Sequence, residues 1–208
     1  MEETSTSDPD PVTSDSPSKV IFNIPNQITV ARLFLSIACF AFLGSGVYLV
    51  ALILFALAAG TDWIDGYWAR RYQQITQLGR ILDPFADKFL ICGVFIFLAA
   101  VAESEIVPWM AVLVVAREML VTGIRSFFEE KGVDFSASWA GKWKMVFQCA
   151  AVLLSLFKLT CLKGGGFTPP ASAWLDPLLV TLVWIAIAMT VYSGWGYVRT
   201  ALRLVREA

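Results

Sequence analysis

The sequence predicts an all-α integral membrane protein of six transmembrane helices, with both termini on the cytoplasmic side. Three observations carry this. Of 208 residues, 57% are hydrophobic and 16% charged, with a mean hydropathy of +0.66; soluble domains average about 45–50% apolar and about 25% charged. Six apolar stretches are separated by short segments rich in Gly, Pro or charge. Lys and Arg concentrate in alternate segments, which marks the cytoplasmic face.

Taken in order, residues 1–18 are acidic and rich in Ser, Thr, Asp and Pro. They lack the basic and apolar regions of a signal peptide and read as a disordered tail, ahead of a six-helix membrane domain over 19–208. Pro25 biases Ile24 away from helix, so a brief interfacial segment is expected there. Asn23, Asn26 or Thr29 then caps a first span over 28–43. Gly44-Ser45-Gly46 allows only a tight hairpin. The second span, 47–59, reaches the roughly 20 residues needed to cross a bilayer only if its helix continues through Asp62 and Asp65 towards Arg70. Those carboxylates then lie at the membrane edge. A third span covers 81–102, with Glu103 and Glu105 in a short acidic loop. A fourth, 106–128, carries Arg117, Glu118 and Arg125 and ends at Glu129-Glu130-Lys131-Gly132, a glycine stop. The fifth, 138–159, has Lys142 and Lys144 near its start. Gly164-Gly165-Gly166 and Pro169-Pro170 then make a loop, and the sixth, 174–197, leads to Arg199, Arg203 and Arg206. Trp63, Trp109, Trp139, Trp174 and Trp195 stand near span ends, where interfacial anchoring and ordinary packing explain them equally well.

The chain has no histidine, which excludes Ser-His-Asp and Cys-His catalysis and any His-ligated zinc. Its four cysteines, Cys39, Cys92, Cys149 and Cys161, stand singly in apolar runs without CxxC spacing and read as packing residues.

Chemistry is expected between Asp62 and Asp87, where four carboxylates sit in a largely apolar chain and require pairing, water or metal. On a helix Asp62, Gly66 and Arg70 share one face, with Asp65 and Ala69 beside them; Gly79, Asp83 and Asp87 form a second stripe on the next helix. An ordinary cytoplasmic loop with ion pairs is the plainer alternative. If the two stripes face one another, four carboxylates converge, an arrangement strongly repulsive unless cations neutralise it. All-oxygen ligation suits Mg²⁺ or Mn²⁺, and two such ions are the usual apparatus for displacement at phosphorus. Gly66 and Gly79 permit close approach of a ligand to the backbone, and Arg70 suits a phosphate.

The pattern Asp62-x-x-Asp65-Gly66-x-x-Ala69-Arg70, eight residues, then Gly79-x-x-x-Asp83-x-x-x-Asp87 resembles the CDP-alcohol phosphotransferase signature at every fixed position. Two further segments are similar to the phosphatidylglycerophosphate synthases within that family. They are Asn23-Ile24-Pro25-Asn26 with Thr29 and Arg32, and Arg117-Glu118 through Gly123 and Arg125 to Ser138-Trp139, Gly141 and Lys142. Together the matching segments span residues 23–148. The resemblance implies that Asp62, Asp65 and Asp83 bind two Mg²⁺ ions (or Mn²⁺), while Asp87 ligates one and serves as general base. It implies donor contacts from Asn26, Thr29, Gly66, Arg70, Thr76 and Gly79 to the CDP moiety of CDP-diacylglycerol. The implied acceptor is glycerol 3-phosphate, the site lies at the cytoplasmic edge of the lipid bilayer, and the implied assembly is a homodimer in a bacterial cytoplasmic membrane. No nucleic-acid partner is expected.

An anionic acceptor needs cations at the same surface. Arg117, Arg125 and Lys142 are the candidates; Lys144 reads more readily as a snorkelling anchor. Arg117 lies deepest and calls for a partner, with Glu118 or Glu129 available. The signature leaves the alcohol open, so inositol phosphate, or phosphatidylglycerol as in a cardiolipin synthase, stands as the alternative acceptor. A cation transporter, the reading from another class, would place its acidic residues near the midplane within broken helices.

Overall fold

Long runs of Leu, Ala, Phe, Ile and Val leave a backbone away from water only one way to satisfy its polar groups, by hydrogen bonding within each segment. The computed structural model describes residues 24–72, 77–130, 139–163 and 172–207; for 24–28, 62–72, 77–84, 87, 129–130, 140, 172–173, 205 and 207 it describes the backbone alone. Six helices result: α1 (Ile24–Gly44), α2 (Tyr48–Tyr72), α3 (Gln77–Ala99), α4 (Pro108–Glu130), α5 (Trp139–Lys163) and α6 (Ser172–Glu207), with a 3₁₀ turn at Ala102–Ser104.

They pack as a ring. Around it the order is α1, α2, α5, α6, α4, α3, and α3 returns to α1. The interior is filled by Phe55, Phe95, Leu98, Leu156, Leu159, Leu179 and Val183, all buried. Between α1 and α3 the ring of Phe40 lies over Gly93, where an added Cβ would stand 2.1 Å from Phe40 Cζ. Phe40 also meets Phe89 and Phe97, with ring centroids 5.3 and 5.5 Å away. Cys39 and Cys92 belong to the same core and form no disulfide.

The outside of the bundle is apolar as well. Phe34, Ile53, Leu57, Ile96, Val112, Val146, Trp184 and Val191 are all exposed, an exterior suited to lipid rather than water. Among the described residues, Gly141–Lys163 and Trp174–Leu204 are long and apolar enough to cross a membrane, and Thr29–Gly44, Tyr48–Thr61 and Lys88–Ala99 are shorter apolar helices. These are the features of a membrane protein. Trp109, Trp139 and Trp174 are exposed near helix starts, Trp195 is exposed but stands twelve residues before the end of α6, and the side chain of Trp63 lies outside the described residues.

Several boundaries differ from the sequence expectation, among them the end of α5, which runs on to Lys163, four residues past 159. Helix α1 begins at Ile24, not at Ile28, so no separate interfacial segment precedes it over 24–27. Pro25 falls in its first turn, where a missing N–H costs no hydrogen bond. Thr29 is therefore inside the helix and buried, not a cap. Helix α3 starts at Gln77, four residues early, and takes in Gly79 and all of the second carboxylate stripe. Helix α6 runs on to Glu207, carrying its three arginines as helix. Conversely, the hairpin after α1 is as tight as its glycines demand. Gly46 is left-handed (φ 74°), its N–H reaches Leu43 O at 3.1 Å, and Val47 N–H reaches Phe42 O at 2.9 Å, the paired bonds of a Schellman stop. The acidic tail 1–18, the α4–α5 link 131–138 and the Gly/Pro loop 164–171 lie outside the described residues.

One end of the bundle is closed by charge. Lys158 reaches Glu105 at 3.0 Å and Asp176 at 2.9 Å, and Lys163 reaches Glu103 at 3.3 Å. Ser104 Oγ donates to Leu98 O (2.7 Å) and accepts from Ile106 N–H (3.1 Å), while Ser155 Oγ donates to Ser104 O (3.0 Å). The α3–α4 link is thereby tied to α5 and α6.

Candidate active site

The signature residues occupy a single helical hairpin. Asp62, Asp65, Gly66 and Arg70 lie in the last part of α2; Gly79, Asp83 and Asp87 lie in the first half of α3, four residues of link later. The heights of the carboxylate-bearing positions follow from the helix rise of 1.5 Å per residue. Asp62 is ten residues before the end of α2 and Asp87 ten after the start of α3, each about 15 Å from the link. Asp65 and Asp83 are seven and six residues from it, about 10 and 9 Å. Counted from the link, Asp62 and Asp87, and likewise Asp65 and Asp83, thus stand at similar distances along their helices. Their side chains, like those of Asn26 and Arg70, lie outside the described residues, as does the whole of Thr76.

As a donor set, four carboxylates from one hairpin in a chain without histidine fit a hard divalent cation of the Mg²⁺ or Mn²⁺ type. Asp62, Asp65, Asp83 and Asp87 are the residues that would hold it. Among the described residues there is no other cluster of metal-ligating side chains.

Behind this hairpin, α4, α5 and α6 bury a belt of polar groups. Glu118 is its centre. Arg117 Nη1 donates to both Glu118 carboxylate oxygens, at 3.1 and 3.2 Å, and Lys144 Nζ of α5 donates to Oε1. Arg117 Nη2 donates to Ser193 Oγ of α6 at 3.0 Å, and the guanidinium lies 5.7 Å from the centre of the Tyr197 ring. The stem of Arg117 passes Gly194, where a Cβ would come within 3.2 Å of its Cγ. Lys144 and Gln148, one turn apart on α5, both face the belt: Gln148 Nε2 donates to Thr190 Oγ1 at 2.9 Å. Thr190 in turn donates to Ala186 O (2.6 Å), and Ser193 to Thr190 O (3.2 Å). On the other side Thr122 Oγ1 donates to the Glu118 carbonyl at 2.6 Å and accepts from Lys88 Nζ, the residue after Asp87. The belt therefore touches the helix that carries the second carboxylate stripe.

The side chains of Arg117, Glu118 and Lys144 are 10%, 5% and 7% exposed. Charges this deep are tolerated only when paired and hydrogen-bonded. Here two cations share one carboxylate, and Arg117 Nε remains buried without a hydrogen-bond partner. Such a trio carries one positive charge in excess and a buried donor without a hydrogen-bond partner.

Of the three acceptor-phosphate candidates, the structure places Arg117 in this belt, with Glu118 as its partner. Arg125 and Lys142 are exposed, Lys142 lying 5.6 Å from the Trp139 ring centre. Lys144 is buried in an ion pair and not a snorkelling anchor. Sequence reasoning missed Ser193, Tyr197, Gln148, Thr190 and Thr122. The available signal was polar residues at helical spacing in apolar helices: Glu118/Thr122, Lys144/Gln148 and Thr190/Ser193/Tyr197 each repeat at three or four residues.

A family model described as CDP-alcohol phosphatidyltransferase matches residues 22–192. The chain is similar to the CDP-diacylglycerol–glycerol-3-phosphate 3-phosphatidyltransferase of Bacillus subtilis (strain 168), 33% identical over 196 residues covering 85% of this chain and 94% of the relative. Proteins of the same name from Rickettsia bellii and Haemophilus influenzae are 34% and 29% identical over 182 and 186 residues. Those alignments cover 86% of this chain in both cases, and 95% and 94% of the relatives. With its signature hairpin inside a match that takes in α1 to most of α6, the chain belongs to the CDP-alcohol phosphatidyltransferase family.

Proposed function

We propose that this enzyme transfers the phosphatidyl group of CDP-diacylglycerol to sn-glycerol 3-phosphate, giving phosphatidylglycerophosphate and CMP. The similarity to relatives that carry this activity in their names, over nearly their whole length, supports the substrates. What supports the chemistry is the two pairs of carboxylate positions at matching distances from the α2–α3 link. Members of the family depend in general on a divalent cation; Asp62, Asp65, Asp83 and Asp87 would hold two Mg²⁺ ions (or Mn²⁺), which when bound would supply the positive charge that offsets the pyrophosphate and the departing CMP. Asn26, Thr29, Gly66, Arg70, Thr76 and Gly79 receive the CDP moiety. Asp87 takes the proton of the acceptor hydroxyl. The acceptor oxygen forms a bond to the phosphatidyl phosphorus, and the bond from that phosphorus to CMP breaks, CMP leaving with the electron pair. Arg117, Arg125 and Lys142 bind the acceptor's phosphate. In this reading residues 19–208 form one domain of six membrane-crossing helices, with both termini and the hairpin link cytoplasmic and a homodimeric assembly.

The test is CMP release from CDP-diacylglycerol by purified protein, with and without Mg²⁺, against glycerol 3-phosphate, inositol phosphate and phosphatidylglycerol. Release that requires metal and glycerol 3-phosphate is expected. No release with any acceptor refutes the transferase, and release with another acceptor alone refutes the choice of alcohol. Asp87→Asn is expected to lower turnover by roughly a thousandfold or more, within the 10²–10⁴ of general-base loss, while donor binding persists; near-normal turnover would remove Asp87 as the base.

A further inference from the structure

A phosphate site needs cations, yet the centre of the buried belt is a carboxylate. Glu118 lies 4% exposed in the middle of α4. Its two oxygens take up Arg117 Nη1 and Lys144 Nζ, and its carbonyl takes up Thr122. Without it, a guanidinium and an ammonium at hydrogen-bonding distance from one point would repel each other strongly in low dielectric. With it, they sit side by side. The fork of Arg117 is tied at Nη1 by Glu118 and at Nη2 by Ser193, which fixes the plane of the guanidinium and leaves Nε buried without a hydrogen-bond partner.

We propose that Glu118 is the positioning residue of the acceptor site, holding Arg117 and Lys144 in register so that a phosphate-bearing alcohol, and not a neutral one, completes the charge of the trio. This rests on the proposed function and deepens it, naming what orients the cations that select the acceptor. It also sets two expectations of opposite sign for Glu118→Gln. If charge alone governs binding, removing a carboxylate makes the site more cationic and glycerol 3-phosphate binds more tightly. If Glu118 positions, the cations separate and it binds more weakly.

The experiment is steady-state CMP release by the full-length protein in mixed micelles, varying glycerol 3-phosphate and CDP-diacylglycerol independently. For Glu118→Gln, KM for glycerol 3-phosphate is expected to rise roughly tenfold, the worth of one charged hydrogen bond, while KM for CDP-diacylglycerol stays within about twofold of wild type. A lowered or unchanged KM for glycerol 3-phosphate overturns the proposal. So does a purely structural pattern, in which folded protein and kcat fall together and neither KM moves. Because the single variant leaves two buried cations sharing no carboxylate, Glu118→Gln/Lys144→Gln serves as a second variant with the wild-type excess of one positive charge. It too is expected to raise KM for glycerol 3-phosphate, and a wild-type value would overturn the proposal. Wild-type release of CMP with inositol phosphate alone would change the acceptor and move the same KM comparison to that substrate. No release by wild type with any acceptor would overturn both readings.

Discussion

At the end of the bundle where α1 turns into α2, Lys158 bridges Glu105 and Asp176, and Lys163 meets Glu103. Towards the other end, Arg117 and Lys144 share Glu118. The residue types are nearly the same, but the surroundings are not. In the first cluster the carboxylates are 37%, 56% and 46% exposed; in the second nothing exceeds 10%. Exposed pairs gain little beyond what water already offers them. Buried ones hold their partners because the alternative is an uncompensated charge in low dielectric. The first cluster accordingly fastens a loop. The second fixes the direction of buried cations.

This contrast breaks most sharply at its buried member. Glu118→Leu is expected to destabilise the protein by about 3–5 kcal/mol, the usual cost of orphaning a buried charge. Adding Lys144→Met should recover part of that loss, as followed by unfolding in detergent; a single substitution as harmless as a surface one would erase the distinction. Between the two clusters Gly93→Ala drives a methyl into the Phe40 ring and should cost about 1–3 kcal/mol by overpacking, seen as a lowered Tm. At the exposed end Lys163→Met, which removes a pair with both members in water, should lower Tm only slightly. The smallest effect belongs to Glu103. Its own backbone N–H and then Lys163 hold its carboxyl below the usual carboxylate range. The folded pKa being depressed, the contribution is complete above the unfolded value and is lost as pH falls through the folded one. Glu103→Gln should therefore flatten the acid limb of a Tm-against-pH curve and leave neutral pH unaffected.

Six helices, the glycine hairpin and the continuation of α2 through both aspartates were legible because each depends on local pattern: apolar length, a left-handed Gly46, carboxylates at helical spacing. The start of α1 was misjudged because the usual effect of Pro25 on its predecessor is outweighed once the proline falls in the first turn. The belt was harder. Arg117 meets Ser193 across 76 residues and Lys144 meets Glu118 across 26, and no periodicity reports on which helices become neighbours in a ring. Lys144 near the start of α5 looks like any interfacial lysine until α4 is known to lie against it. The two carboxylate stripes are written in one contiguous stretch, whereas the buried belt exists only after α4, α5 and α6 have packed.

The length of α6 has a consequence of its own. Thirty-six helical residues extend about 54 Å, against a hydrocarbon thickness of about 30 Å. A helix of that length exceeds the thickness of the oily layer by several turns. Arg199, 5.2 Å from the Trp195 ring centre, begins the last turns, and Arg203 and Arg206 follow at one-turn intervals. Near a surface of anionic lipid each such residue is drawn in by about 1 kcal/mol. The final turns thus carry a basic, tryptophan-flanked surface of the kind lipid headgroups attract.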